Sequence, residues 1–174
     1  MHASVHASGA TVSVDMGRVA FTHENSKFPS LKAEVININD KSFTYYRASV
    51  GNPHCVIPVM ELSSELAKVY GKVIEEDKLF PNRTNVQFLK VLDRNTIQIE
   101  IWERGAGYTL ASGSSSTASA AVAHALGLCE KEVSVKTPGG TIQIAISEGY
   151  HAVMSGPVCK IGEGSLASEA LSEF

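Results

Sequence analysis

Cysteine is scarce in this chain. Cys55, Cys129 and Cys159 are odd in number, far apart and never in a CxxC spacing, which excludes a disulfide framework and a structural zinc site. They read as small buried hydrophobes. Positive charge is not in excess either: 15 Lys+Arg stand against 18 Asp+Glu with no basic cluster, so the footprint that phosphate-backbone binding requires is missing and nucleic acid is not an expected partner. No apolar run approaches the roughly 18 to 20 residues that span a bilayer, and "MHASVHASGA" lacks both the basic and the apolar regions of a signal peptide. A cytosolic protein with no membrane partner is the expectation. The six histidines are scattered without metal-ligand spacing, so no metal is expected.

What is present is the composition of an ordinary globular domain, 44% hydrophobic over 174 residues with a net charge of -3. From Thr11 the pattern is mostly short β-type runs, "TVSVDM", "AEVINI", "FTYYRASV" and "HCVIPV", each bounded by Gly, Asn, Asp or Pro. A surface helix is predicted over "SSELAKVYGKVIEED", capped by Ser63 or Ser64, with Leu66, Val69, Tyr70 and Val73 at helical spacing. "NVQFLKVL" and "NTIQIEIW" read as a hairpin around Asp93-Arg94, and "VSVKT" and "TIQIAIS" as another around "PGG". "YHAVMSG" and "VCKIG" add two more short strands. Residues 1–10 are expected to be a flexible segment, 11–162 one domain, and 163–174 a tail, helical or frayed.

The outlier is Ser114 to Leu128, apolar or small nearly all the way round, as a buried helix is. Many short, mostly antiparallel strands wrapped around such a helix predict an α+β, barrel-like architecture. The first turn of a buried helix has amides with no intrahelical partner. Here that turn is "SGSSST": Gly113 allows close backbone approach, and the N–H groups of Ser114 to Ser116 favour a carboxylate or phosphate. A plain serine-rich cap is the alternative. "SVGNPHCV" places Asn52 and His54, and "LFPNRTNVQF" places Asn82, Arg83 and Asn85, in turns leading into strands; turn chemistry explains either one alone.

Taken together and in order, "VSVDMG", "GNPHCV", "LFPNRTNV", "WERGAGYTLASG" and "TPGG" resemble the C-terminal half of the diaminopimelate epimerase family, over about Thr11 to Gly162. The resemblance implies one of two similar domains, each a barrel-like sheet around a central helix, with an amino-acid substrate in the cleft between them. It implies cofactor-independent epimerisation, in which one cysteine from each domain faces the substrate Cα and preorganised N–H donors stabilise charge on the carboxylate. Carried over by position, Gly113 and Ser114 correspond to the carboxylate-binding turn, and Asn52, Asn85, Glu103 and Arg104 to residues holding the substrate's distal groups. His54 and Glu103 correspond to groups close to the acid–base centres.

Two departures stand out. The catalytic cysteine of this half falls at Ser112, in "LASGSSS" where the family reads much like "LACGTGA"; a serine hydroxyl is a weak acid and a weak base unless activated. Cys55 neighbours His54, but adjacent residues of a strand point to opposite faces. The N-terminal domain is also missing from the match, so a separate half or a second copy of the chain is the expected partner. The readings that follow are an epimerase or racemase half active with such a partner, a non-catalytic amino-acid-binding or assembly domain, and a structural remnant.

Overall fold

The computed structural model describes residues 2–6, 9–21 and 31–171. Its strands are β1 (Ala3–His6), β2 (Thr11–Arg18), β3 (Ala33–Ile38), β4 (Lys41–Ser49), β5 (Pro53–Pro58), β6 (Asn85–Asp93), β7 (Thr96–Glu103), β8 (Gly107–Thr109), β9 (Glu132–Thr137), β10 (Gly140–Ile146) and β11 (His151–Pro157). Two α-helices, α1 (Ser64–Glu75) and α2 (Gly113–Ala125), interrupt them. The strands form one sheet in the order β1-β2-β11-β10-β9-β7-β6-β5-β4-β3, with β8 paired to β7. Most neighbours are antiparallel, but β5/β6 and β7/β9 are parallel. Each parallel pair needs a crossover. α1 makes the first and α2 the second.

Among the described residues the strand order runs from β1 to β3. Among the described residues one bridge spans the far sides: Ala20 N donates to Ser49 O at 3.0 Å, and Ser49 N to Ala20 O at 2.8 Å. The mixed sheet dominated by strand, with two helices, is the α+β class expected.

Period-two alternation sorts side chains onto two faces. Cys55 and Ile57 of β5, with Val86 and Phe88 of β6, pack toward α1 among Ile36, Phe43, Tyr45 and Ile74. Val56, Leu89, Ile97, Ile99 and Ile101 pack on the other face against α2. His54 and Cys55 therefore stand on opposite sides of β5. Burial pushes the Cys55 thiol far above its ordinary range, which removes it as a substitute base.

Three details depart from the sequence expectation. The buried face of α1 consists of Ala67, Gly71, Ile74 and Glu75, whereas Val69 and Val73 face solvent at 54% and 48% exposure. The cause is Trp102, whose indole lies so close to Gly71 that a Cβ there would sit 2.5 Å from it, fixing the helix's rotation on the sheet. Second, Ala3–His6 pairs in antiparallel register with β2, where the sequence predicts no strand before Thr11. Third, 158–162 forms no strand; just beyond β11 Val158 N donates to Ala10 O. Ser168–Leu171 is a short 3-10 turn; residues 172–174 of the expected tail lie outside the described residues.

Candidate active site at the start of the buried helix

α2 begins where three segments meet. Ser112 is its N-cap, in extended conformation, with Oγ accepting from Ser115 N at a long 3.4 Å and its carbonyl from Ser116 N at 3.0 Å. The "PGG" turn abuts this entry: Gly139 N donates to Leu110 O at 2.7 Å. Met154 of β11 covers Gly113 so closely that a Cβ would lie 2.6 Å from its Sδ. The amides of Gly113 and Ser114 have no protein acceptor among the described residues. Two orphan donors thus remain in the half-buried first turn of a helix sealed from Ser115 to Ala123, at its positive end, the arrangement that attracts an anion.

Asn52, His54 and Arg104 line a single polar cavity of about 980 Å³ with Arg47, Asn82 and Arg83. Two of its guanidiniums are neutralised in place: Arg47 pairs with Glu34 at 2.9 Å, and Arg83 with Glu75 at 3.3 Å and Glu76 at 3.5 Å. Among the described residues Arg104 forms no ion pair; its Nη1 donates to Asn82 O at 3.1 Å. That leaves its charge available to a second anionic group.

Asn85 is 5% exposed and bonded to backbone at both ends of its amide, donating to Pro53 O at 2.9 Å and accepting from Arg104 N at 3.0 Å. It ties the loop before β5 to the turn after β7, holding Asn52 and Arg104 in fixed relation. Glu103 is half-buried at the end of β7, and its carbonyl accepts from Ala106 N. Its carboxylate makes no hydrogen bond or ion pair among the described residues.

His54 is 1% exposed, with Nε2 3.0 Å from Asn52 Oδ1. Burial lowers its pKa to about 4; hydrogen bonding with the Gln87 side chain opposes that shift, and the Arg104 charge adds to it. The ring is neutral at physiological pH. Ser112, Gly113 and Ser114 do not line this cavity. Ala111, immediately before them, and Met154, over Gly113, line a smaller apolar hollow of about 330 Å³ with Val12, Val14 and Ile142. The link between the cavity wall and α2 is Gln87, whose Nε2 donates to Ser115 Oγ at 3.0 Å.

Sequence reasoning missed two residues that organise the site. Gln87 is the polar residue at an inward position of β6, between Asn85 and Leu89; alternation alone marks it. Glu75 is a buried carboxylate accepting from Trp102 Nε1 at 2.7 Å, Gly105 N at 2.9 Å and Arg83 Nη1 at 3.3 Å. It pins the turn that carries Arg104. Nothing in the pattern of α1 distinguishes it from its exposed neighbour Glu76.

A family model described as diaminopimelate epimerase matches residues 46–161. The chain belongs to the diaminopimelate epimerase family. It is 50% identical over 173 residues to "Diaminopimelate epimerase 2" of Nostoc sp., covering 97% of this chain and 61% of that protein. A diaminopimelate epimerase of Acetivibrio thermocellus is 36% identical over 160 residues, covering 89% and 57%. The chain thus spans about three fifths of the length of these relatives. Among solved structures, a probable proline racemase from Agrobacterium radiobacter superposes with a TM-score of 0.65 over 95% of this chain and 56% of that one, at 12% identity. A hydroxyproline epimerase from Agrobacterium vitis gives 0.58 over 86% and 50%, at 14% identity. These two share the fold.

Proposed function

We propose that this chain is the α-carboxylate-binding half of a cofactor-independent amino-acid epimerase or racemase, acting on diaminopimelate or a similar amino acid. The observation that carries the reading is the pair of amides, Gly113 and Ser114, unpartnered among the described residues in the half-buried first turn of a helix whose body is sealed. They supply what proton abstraction at Cα requires: donors held in place where carboxylate charge grows. Arg104 and Asn52, which line the polar cavity, hold the distal end of the substrate, with Glu103 next to Arg104 in the chain. Ser112 stands at the position of the proton-transferring group, and His54, neutral and bonded to Asn52, lies at the cavity wall.

Epimerisation needs a group on each face of Cα, so a second one must come from elsewhere: the rest of a longer protein or a second copy of this chain. The apolar hollow beside Ala111 is the surface such a partner covers. The test is exchange of Cα–H for deuterium in D2O, followed by NMR with diaminopimelate and other amino acids. Exchange by the chain with its partner half, raised by Ser112→Cys, is expected. No exchange in either variant with that half added contradicts the reading.

A second reading, an amino-acid-binding or assembly domain without catalysis, is favoured by one observation. The hydroxyl of Ser112 is engaged as the cap of α2, and Cys55 lies on the opposite face of β5 with its thiol pKa pushed up. It predicts saturable amino-acid binding by calorimetry with no deuterium exchange.

A further inference from the structure

Arg83 holds a backbone conformation that glycine adopts freely and a long side chain does not. Its φ is +57°, in the left-handed region, where a Cβ crowds the neighbouring carbonyl. Strain of this kind persists only where the surroundings over-determine it, and it clusters at functional sites. Here the restraint is double. Arg83 N closes the turn before it by donating to Phe80 O at 2.8 Å. The guanidinium reaches α1, with Nη1 3.3 Å from Glu75 Oε1 and Nη2 3.5 Å from Glu76 Oε1.

What this conformation supports is Arg104. The φ of Arg83 sets the plane of the peptide that carries Asn82 O, and that oxygen accepts from Arg104 Nη1 at 3.1 Å. Asn85, two residues further on, accepts from Arg104 N through Oδ1 at 3.0 Å. The next amide, Gly105 N, donates at 2.9 Å to Glu75 Oε1, the same oxygen that Arg83 pairs with. Segment 82–85 therefore holds Arg104 by its side chain, by its own amide and, through Glu75, by the amide that follows. Arg83 is the link between that segment and Glu75. Its own charge is compensated by two carboxylates, so it acts on the cavity through the residue it braces.

We propose that Arg83 is a positioning residue for Arg104: left-handed and clamped to Glu75 and Glu76, it keeps the Arg104 side chain fixed at the wall of the polar cavity. That Arg104 meets a substrate there rests on the proposed function; that Arg83 holds it does not, and is read without any ligand.

The experiment follows rotation of the Arg104 guanidinium about its Nε–Cζ bond by side-chain nitrogen NMR on the ligand-free protein, with the signals assigned by their loss in Arg104→Lys. Wild type is expected to show slow rotation with separate Nη signals. Arg83→Gly keeps the left-handed turn and removes the clamp, so its melting temperature is expected to stay near that of wild type while the Arg104 guanidinium turns about tenfold faster. Arg83→Lys places one ammonium where the fork spanned two carboxylates, and an intermediate rate is expected. Free rotation in wild type overturns the proposal. So does a wild-type rate in folded Arg83→Gly, even with a lowered melting temperature, since that marks a purely structural role. If Arg83→Gly fails to fold, Arg83→Lys carries the test, and a wild-type rate there overturns the proposal. A restrained Arg104 in a protein that binds no diaminopimelate contradicts the proposed function and leaves this inference standing.

Discussion

α1 and α2 each carry the chain between two parallel neighbours, β5 to β6 and β7 to β9, yet one shows solvent a face with Val69 and Val73 about half exposed while the other is sealed from Ser115 to Ala123. The difference at their ends matters more. The C-terminal end of α1 carries a buried carboxylate, Glu75, and the protein satisfies it with an indole N–H, a backbone amide and a guanidinium. The N-terminal end of α2 has only the long cap from Ser112, and the amides of Gly113 and Ser114 are left open. The buried carboxylate of α1 is thus satisfied within the protein, whereas two half-buried amides of α2 stay open to a ligand or solvent.

The comparison breaks first at Glu75. Glu75→Leu strands the Trp102 and Gly105 donors and takes one of its two carboxylate partners from Arg83, and a loss of about 3 kcal/mol in denaturant unfolding is expected. Retention of wild-type stability would mean that the two helix ends do not differ as described. The inner face is probed next through pH. With a folded pKa of about 4 against about 6.5 unfolded, His54 binds its proton more readily in the unfolded chain. Its contribution is complete above about pH 6.5 and falls away as pH drops toward about 4, amounting to about 3 kcal/mol in unfolding free energy measured across that window. A His54→Asn variant is expected to lack this slope.

Packing separates the helices more gently. Ala121→Leu, on a helix with no free face, is expected to cost about 1–3 kcal/mol, whereas Val73→Leu on α1 stays within about 0.5 kcal/mol. Removing the cap itself is expected to have a modest effect. Ser112→Ala removes a bond of 3.4 Å and is expected to cost about 0.5–1 kcal/mol in thermal or denaturant melts.

The two helices also mark how far the fold was legible. α2 announced itself because a run of Ala and Ser with no polar face has only one stable environment. β3 matches "AEVINI" residue for residue for a similar reason: alternation with buried Ile36 and Ile38 leaves one register. The rotation of α1 was not legible, because it is set by contact between Gly71 and Trp102, 31 positions apart in the chain. At the site, Asn52, His54 and Arg104 converge on one cavity; strand-flanking turns drew attention to Asn52 and His54, but only the family resemblance assigned them a role and brought in Arg104. Asn85 stood out for the same reason, but its backbone bonds to Pro53 and Arg104 emerge only when β5 and β7 are placed. Gln87 and Glu75 work through partners 28 and 27 positions away, Ser115 and Trp102, and no local pattern encodes those.

The central claim is that the open amides of α2 seat the carboxylate of an amino acid whose far end reaches Arg104. Titrating nitrogen-labelled protein with diaminopimelate, while following the Gly113 and Ser114 amide signals and the Arg104 Nε signal, tests it most directly. Saturable shifts of all three with one dissociation constant are predicted. Saturation without movement at Gly113 and Ser114, or no binding at all, would contradict it.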